Sequence, residues 1–315
     1  MSSSDSRPST AALASAYALV YLIWGSTYLA IRFTVETIPP IFSGGVRFVI
    51  AGIILMAFRI FLCGDRTTAV GWKFAIIASI LPFVVSYGFL TVAETIVPSS
   101  AAGLLVALEP LWFCLIGWIF FKGAKPGKFN YIGIISGFTG VYFLMAEGPG
   151  LNLPAGSSGN YALGVLLVML SSIAWVFGAF ISRSPRIHTN PFMSSGMQMF
   201  SGGCMMLLLQ LVISAYTGNF AGFHVFSLRS LLALGYLIIF GSIVAYTSFL
   251  WLMRVEPAGR VSTHAFVNPI VAVLLGWLIG GEALHKNIFI AMPLIIISVL
   301  LMIWKPNDSH MVAKK

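Results

Sequence analysis

Charge is what this sequence has least of. Charged residues fill 9% of its 315 positions, hydrophobic ones 58%, and only nine residues are acidic. Soluble domains carry about 25% charged residues, so a water-facing globule is excluded. Cysteine is scarce too. Cys63, Cys114 and Cys204 offer neither a disulfide framework nor paired metal-ligand spacing. No His-Glu-x-x-His, Gly-x-Ser-x-Gly or Gly-x-x-x-x-Gly-Lys motif occurs. A zinc hydrolase, a serine hydrolase and a chain that drives itself with ATP therefore have no support. No catalytic residue, cofactor or metal is expected.

What the chain does have is long apolar runs, with a mean hydropathy of +0.95. A helix needs about 20 mostly apolar residues to cross the hydrocarbon core. Ten spans are read, at 12–31, 41–61, 74–92, 100–121, 131–145, 161–181, 193–216, 231–253, 261–279 and 288–304. The fifth is short, as suits a helix at the bundle edge. The runs show no two-residue alternation, so helices are expected and barrel strands are not. The first run is too long for a signal peptide and lacks a small-residue cleavage site after it.

Basic residues give the orientation. Of the eighteen Lys and Arg residues, Arg32, Arg229 and Lys286 fall on one side and Arg47 within a span. The other fourteen fall on the side of both termini, which is read as cytoplasmic. The net charge of +9 is thereby a topology signal, and no nucleic-acid partner is inferred from it.

The chain also repeats itself. At an offset of 151 residues Trp24 falls on Trp175, Arg32 on Arg183, Pro40 on Pro191, Gly45 on Gly196 and Gly52 on Gly203. At an offset of 159 Tyr87 falls on Tyr246, Pro98 on Pro257, Pro110 on Pro269 and Trp118 on Trp277. The eight extra residues are placed in the loop at 218–229. A repeat of five spans must insert facing the opposite way from its twin, which is the inverted-repeat plan of secondary transporters. The expected fold is all-α integral membrane: ten transmembrane helices as two inverted five-helix repeats. The expected boundaries are a tail at 1–11, repeats at 12–145 and 161–304, an external linker at 146–160 and a tail at 305–315.

Polar groups within the spans are the site candidates, because a charge in hydrocarbon costs about 2.5–3.5 kcal/mol on insertion scales and usually faces a cavity or a partner. Arg47 and Glu109 lie in the second and fourth spans, at depths one Arg side chain can bridge. A structural ion pair and a substrate or proton site are both open readings. Their repeat equivalents are Gln198 and Asn268. Glu109 precedes Pro110 and Asn268 precedes Pro269, and proline withdraws a backbone donor, so both prolines are read as hinges or helix breaks. Trp24 and Trp175 lie mid-span, away from interfacial aromatic belts, and could face each other across a cavity. Tyr87 and Tyr246 bring hydroxyls to similar depth. His264 is a second titrating candidate beside Glu109. Ordinary helix packing competes with each of these readings. Glu94 and Glu282 are read as solvated loop acids, and Gly133, Gly137 and Gly140 as a weak oligomer face.

The segments Ile23-Trp24-Gly25-Ser26-Thr27-Tyr28, Pro39-Pro40 and Gly45-Val46-Arg47-Phe48 resemble the first repeat of EamA-type transporters in the drug/metabolite transporter superfamily. Val267-Asn268-Pro269 and Gly281-Glu282-Ala283-Leu284 resemble the end of the second. Thr91-Val92-Ala93-Glu94 and Gly241-Ser242-Ile243 look most like the YedA-like branch. The resemblance spans about 12–304. It implies a central cavity, alternating access, and export or exchange of amino acids or related small metabolites across a bacterial inner membrane. It places Trp24, Tyr87, Glu109, Trp175, Tyr246 and Asn268 on cavity-lining helices, with Arg47 reaching in from the second. Glu109 departs from the branch pattern, so the branch's substrate does not transfer. The expected partners are a small-molecule substrate, membrane lipid and coupling protons, for a monomer or homodimer. A carrier of lipids or hydrophobic drugs is the alternative.

Overall fold

The structure is a computed structural model that describes residues 9–121, 125–146, 158–182, 187, 190–218, 225–256, 261, 264–284 and 286–303. It is all-helical among these residues. α1 (Thr10–Thr34) is capped by the Ser9 hydroxyl, which accepts from the Ala12 amide at 3.2 Å. α2 (Pro40–Cys63) has proline in its first turn, where no amide donor is needed, and stops at Gly64 with φ +69°. α3 (Ala69–Ser79) runs through a π turn (Ile80–Ser86) into α4 (Tyr87–Ala93). α5 (Ser99–Val106) and α6 (Glu109–Phe120) form one interrupted rod, followed by α7 (Lys128–Ala146).

The second half follows the same plan. It contains α8 (Ser158–Ser182), α9 (Pro191–Thr217) and α10 (Leu228–Tyr236). A second π turn (Leu237–Val244) leads into α11 (Ala245–Val255), and then come α12 (His264–Leu278) and α13 (Ile288–Ile303). The two π turns occupy matching repeat positions, with Gly241 where the first has Pro82. A π turn is an uncommon, strained insertion, so its recurrence strengthens the case for duplication.

Among the described residues seven helices are long and apolar enough to cross a membrane, and Val267–Leu278 and Ile288–Leu301 are shorter apolar helices. α7 has 19 residues, longer than the short fifth span expected. Large apolar side chains face outward, including Phe61 at 83% and Ile135 at 68% exposure. A soluble monomer does not expose apolar surface on this scale. The tails, the linker at 147–157 and the extra loop residues 219–224 lie outside the described residues.

The packing shows the inversion directly. A Cβ on Gly52 would lie 2.6 Å from the Phe200 amide nitrogen and 2.8 Å from the Gly196 carbonyl oxygen. A Cβ on Gly203 would meet the Val49 nitrogen and the Gly45 oxygen at the same two distances. Each contact is the other's image under the 151-residue offset. Gly45 meets Leu207 while Gly196 meets Met56, so α2 and α9 run antiparallel. Gly137 against Ser298 and Gly140 against Ile295 make α7 and α13 antiparallel in the same way. Gly137 and Gly140 are therefore internal packing positions, and their reading as an oligomer face is corrected.

The first helix of each half packs on the π turn of the other. α1 meets the second turn at Thr27 and Gly241, and α8 meets the first at Gly178 and Pro82. The seam between the halves thus runs past Trp24 and Arg47.

Candidate functional site

Two side chains from the first half grip the second π turn. The Trp24 indole Nε1 donates to the Gly241 carbonyl at 3.3 Å. A π turn shifts its carbonyls off the i→i+4 ladder, and this one accepts from a side chain of the opposite half. One residue on, the Ser242 hydroxyl accepts from Arg47 Nε at 2.7 Å. Arg47 Nη1 donates to the Tyr87 hydroxyl at 2.9 Å, and its guanidinium carbon lies 4.9 Å from the Tyr87 ring centre. Glycine at 241 makes room: a Cβ there would sit 3.0 Å from Arg47 Nη2 and 3.1 Å from Thr27 Cγ2.

Arg47 is 7% exposed, and no acid pairs with it. The ion pairs among the described residues are Arg59–Asp65 and Arg229–Glu36. Of the two readings open for Arg47 and Glu109, the structural ion pair is thus not formed here. Hydroxyls and an aromatic face hold the guanidinium, because Ser242 and Tyr87 reach it from either side of the seam. Gln198, the repeat equivalent, stays within its own half. It accepts from Ser182 at 2.7 Å and donates to the Ser194 hydroxyl at 3.1 Å.

Glu109 opens α6 just after a break at Ala107–Leu108. The break is a tight turn in which the Leu108 amide donates to Leu105 and the Leu111 amide to Leu108. It precedes Pro110, which sits in the first turn of α6 where a missing donor is harmless. The Glu109 carboxylate is half-buried and makes no hydrogen bond or ion pair among the described residues. The helix N-terminus behind it favours negative charge. Tyr28 on α1 packs in the cluster that holds Leu108 and Ala93, the residues before Glu109 and Glu94.

The remaining candidates divide. Trp24 packs on Phe249 at 4.9 Å between ring centres and edge-on to His264 at 5.2 Å. Tyr246 lies 6.4 Å from Phe249, and its hydroxyl accepts from Ser195 at 3.4 Å. Asn268 is buried. With its amide turned to satisfy its neighbours, it donates to the main-chain oxygens of His264 at 3.1 Å and Tyr21 at 3.2 Å. Pro269 lies inside an unbroken α12, so its reading as a helix break is corrected. Trp175 on α8 makes no ring contact with Trp24 among the described residues. The site gathers Trp24, His264, Phe249 and Tyr246 into one aromatic wall beside the Arg47–Ser242–Tyr87 cluster.

A shallow open groove of about 420 Å³ lies where α1 begins, lined among others by Ser15, Ala16, Leu19, Phe192, Thr247, Ser248 and Trp251. Ala16 and Trp251, which line the groove, pack in one apolar cluster with Trp24 and Phe249 of the aromatic wall. The opposite end is latched. Glu282 Oε1 accepts from the Ser99 amide and hydroxyl, both at 2.7 Å, and Oε2 from the Ser100 amide at 3.0 Å. The latch crosses between halves and caps α5. Glu94 is fully buried. The two acids read as solvated are thus corrected: one is a helix cap and the other is interior.

Sequence reasoning missed Ser242, Phe249 and Ser195. A Gly-Ser pair inside an apolar span was the available signal for Ser242. Phe249 and Ser195 left no signal in so apolar a chain.

Comparison with known proteins gives a consistent picture. The EamA-like transporter family matches this chain at residues 12–146 and again at 162–304. The chain is 36% identical over 287 residues to the inner membrane transporter YedA of Escherichia coli (strain K12), covering 90% of this chain and 87% of that one. It is 27% identical to protein PagO of Salmonella typhimurium and 20% identical to the transporter YvbV of Bacillus subtilis. Coverage is 89% of both chains for PagO, and 90% of this chain and 89% of that one for YvbV. One crystal structure shares the fold at a TM-score of 0.61 and 20% identity, over 93% of this chain and 97% of that one.

Proposed function

This chain belongs to the EamA-like transporter family of the drug/metabolite transporter superfamily, as a multi-pass inner-membrane protein with a transport role, and from that premise we propose a secondary transporter of amino acids or related small metabolites, working by export or exchange. In this reading ten spans form two inverted repeats, both termini are cytoplasmic, and the halves rock to open one end at a time.

Arg47 carries the proposal. A buried guanidinium at the seam, held by Ser242 and Tyr87 with no acid beside it, keeps its charge available for a substrate carboxylate. Glu109, equally without a partner, takes the substrate ammonium or a coupling proton. His264, walled by Trp24 and Phe249, is the second candidate for the proton. Trp24, Tyr246 and Trp175 supply apolar walls, and Tyr87 and Asn268 supply polar contacts.

A bound ligand stabilises the native state, so thermal stability of the purified protein against amino acids, amines, sugars and nucleosides tests the reading. A shift with an amino acid, weakened in Arg47→Gln, supports it. A shift only with lipids or hydrophobic cations overturns it and favours a lipid or drug carrier. That second reading has one observation behind it: the groove is lined by Leu19, an apolar side chain 40% exposed.

A further inference from the structure

Glu94 has no use in the site described above, and its surroundings are unusual. Its exposure is 0%, and neither carboxylate oxygen has a hydrogen-bond partner. It caps the C-terminus of α4, at the end of the bundle that Glu282 latches. Arg32 on α1 is the cation at this point, but its Nη1 donates to the Glu94 main-chain carbonyl and leaves the carboxylate bare.

The other groups facing Glu94 cannot neutralise it. α1 also brings Tyr28, packed in the apolar cluster with Ala93 and Val97. α4 brings Tyr87, whose hydroxyl is taken by Arg47 of α2. Tyr161 of α8 lies in the apolar cluster that holds Ala93 and Val97. α5 brings Ser99, whose amide and hydroxyl donate to Glu282, and Ser100, whose amide does. Glu282 adds a second negative charge. An ionised carboxylate in such a place is costly unless paired and hydrogen-bonded, whereas the neutral acid is cheap to bury. Burial first, and then Glu282, hold the Glu94 carboxyl well above the usual carboxylate range, with Arg32 opposing.

We propose that Glu94 is a proton-binding site that governs the latched end of the transporter: it holds a proton while that end is closed and releases it to water when the end opens. The proposal rests on the alternating-access reading. The Glu282 latch joins the two halves, so parting them here removes three hydrogen bonds and admits water to Glu94. Hydrated, Glu94 ionises, and its charge then faces Glu282 and opposes closing. The closed form binds the proton more tightly. By linkage it gains as pH falls and is lost as pH rises through the closed-state pKa. One proton changes the open-to-closed ratio by at most about tenfold per pH unit.

Amide hydrogen exchange over residues 94–106 of the full-length protein tests this, at mildly acid and mildly alkaline pH and corrected for intrinsic rates. Wild type should be protected in acid and several-fold faster in alkali. Glu94→Gln should be protected at both. A wild type indifferent to pH, or a variant that keeps the wild-type response, overturns the proposal. Infrared spectroscopy gives a second measurement should Glu94→Gln not fold. A protonated-carboxyl band at neutral pH that persists in Glu109→Gln supports the proposal, and its absence there overturns it. Neither measurement involves a transported substrate, so a wrong substrate class would leave both results standing.

Discussion

Arg47 Nε donates to the Ser242 hydroxyl at 2.7 Å across the seam between the two halves, so the buried charge of the second helix is tied to a π turn of the opposite repeat. Any motion that parts the halves here must break or carry that bond. In the proposed reading, this bond joins the charge that binds substrate to the interface that moves.

Arg47→Gln is expected to lower transport in proteoliposomes by at least tenfold, since hydrogen bonds to charged groups contribute about 1.5–3 kcal/mol. Arg47→Lys should fall between the two, because an ammonium keeps the charge and loses the planar fork that reaches Ser242 and Tyr87 together. Undiminished transport by Arg47→Gln would remove this residue from the site.

Glu109→Gln should abolish transport and leave a folded, membrane-inserted protein. Because Glu109 and Arg47 form no ion pair, their effects on thermal stability should add to within about 0.3–0.5 kcal/mol in a double-mutant cycle. A larger coupling would mean that the two charges meet after all.

Glu282→Ala removes a cap with three donors on it. A loss of about 2 kcal/mol in unfolding free energy is expected from charge-assisted bonds. Ser99→Ala, which keeps the two backbone donors, should cost less. Equal costs for the two would show that the carboxylate contributes only through the Ser99 hydroxyl.

Gly52 and Gly88 make a matched pair. Gly52→Ala places a methyl 2.6 Å from the Phe200 nitrogen, while nothing lies within 4 Å of a Cβ at Gly88. Gly52→Ala should cost folded yield and melting temperature, since helix backbone cannot yield as a side chain tip does. Gly88→Ala should be neutral or stabilising by up to about 1 kcal/mol, the helix preference of alanine over glycine. Similar melting temperatures for both variants would contradict the close α2–α9 crossing.

The membrane class and the duplication were legible because hydrocarbon admits few charges and because coincident Trp, Pro and Gly are hard to obtain by chance in a greasy chain. Gly45, Gly52, Gly196 and Gly203 were visible as a pattern, and the structure adds that they meet one another's helices head to tail. Trp24, Arg47 and Tyr87 were found as polar or aromatic groups at depth. Their partners were not, because spacing along one helix says nothing about which helix lies opposite.

The sequence by itself determined that this chain crosses the membrane as helices, that its two halves are copies, and which few side chains stand where water does not. These follow from composition and periodicity, which are local properties. Only the tertiary structure decided that Arg47 bonds Ser242 and leaves Glu109 alone, that Glu282 caps the opposite half, and that Glu94 is interior. Those outcomes depend on the crossing of helices far apart in the chain, where a hydroxyl on a displaced turn or a bare amide at a helix end outcompetes the partner that sequence depth alone suggests.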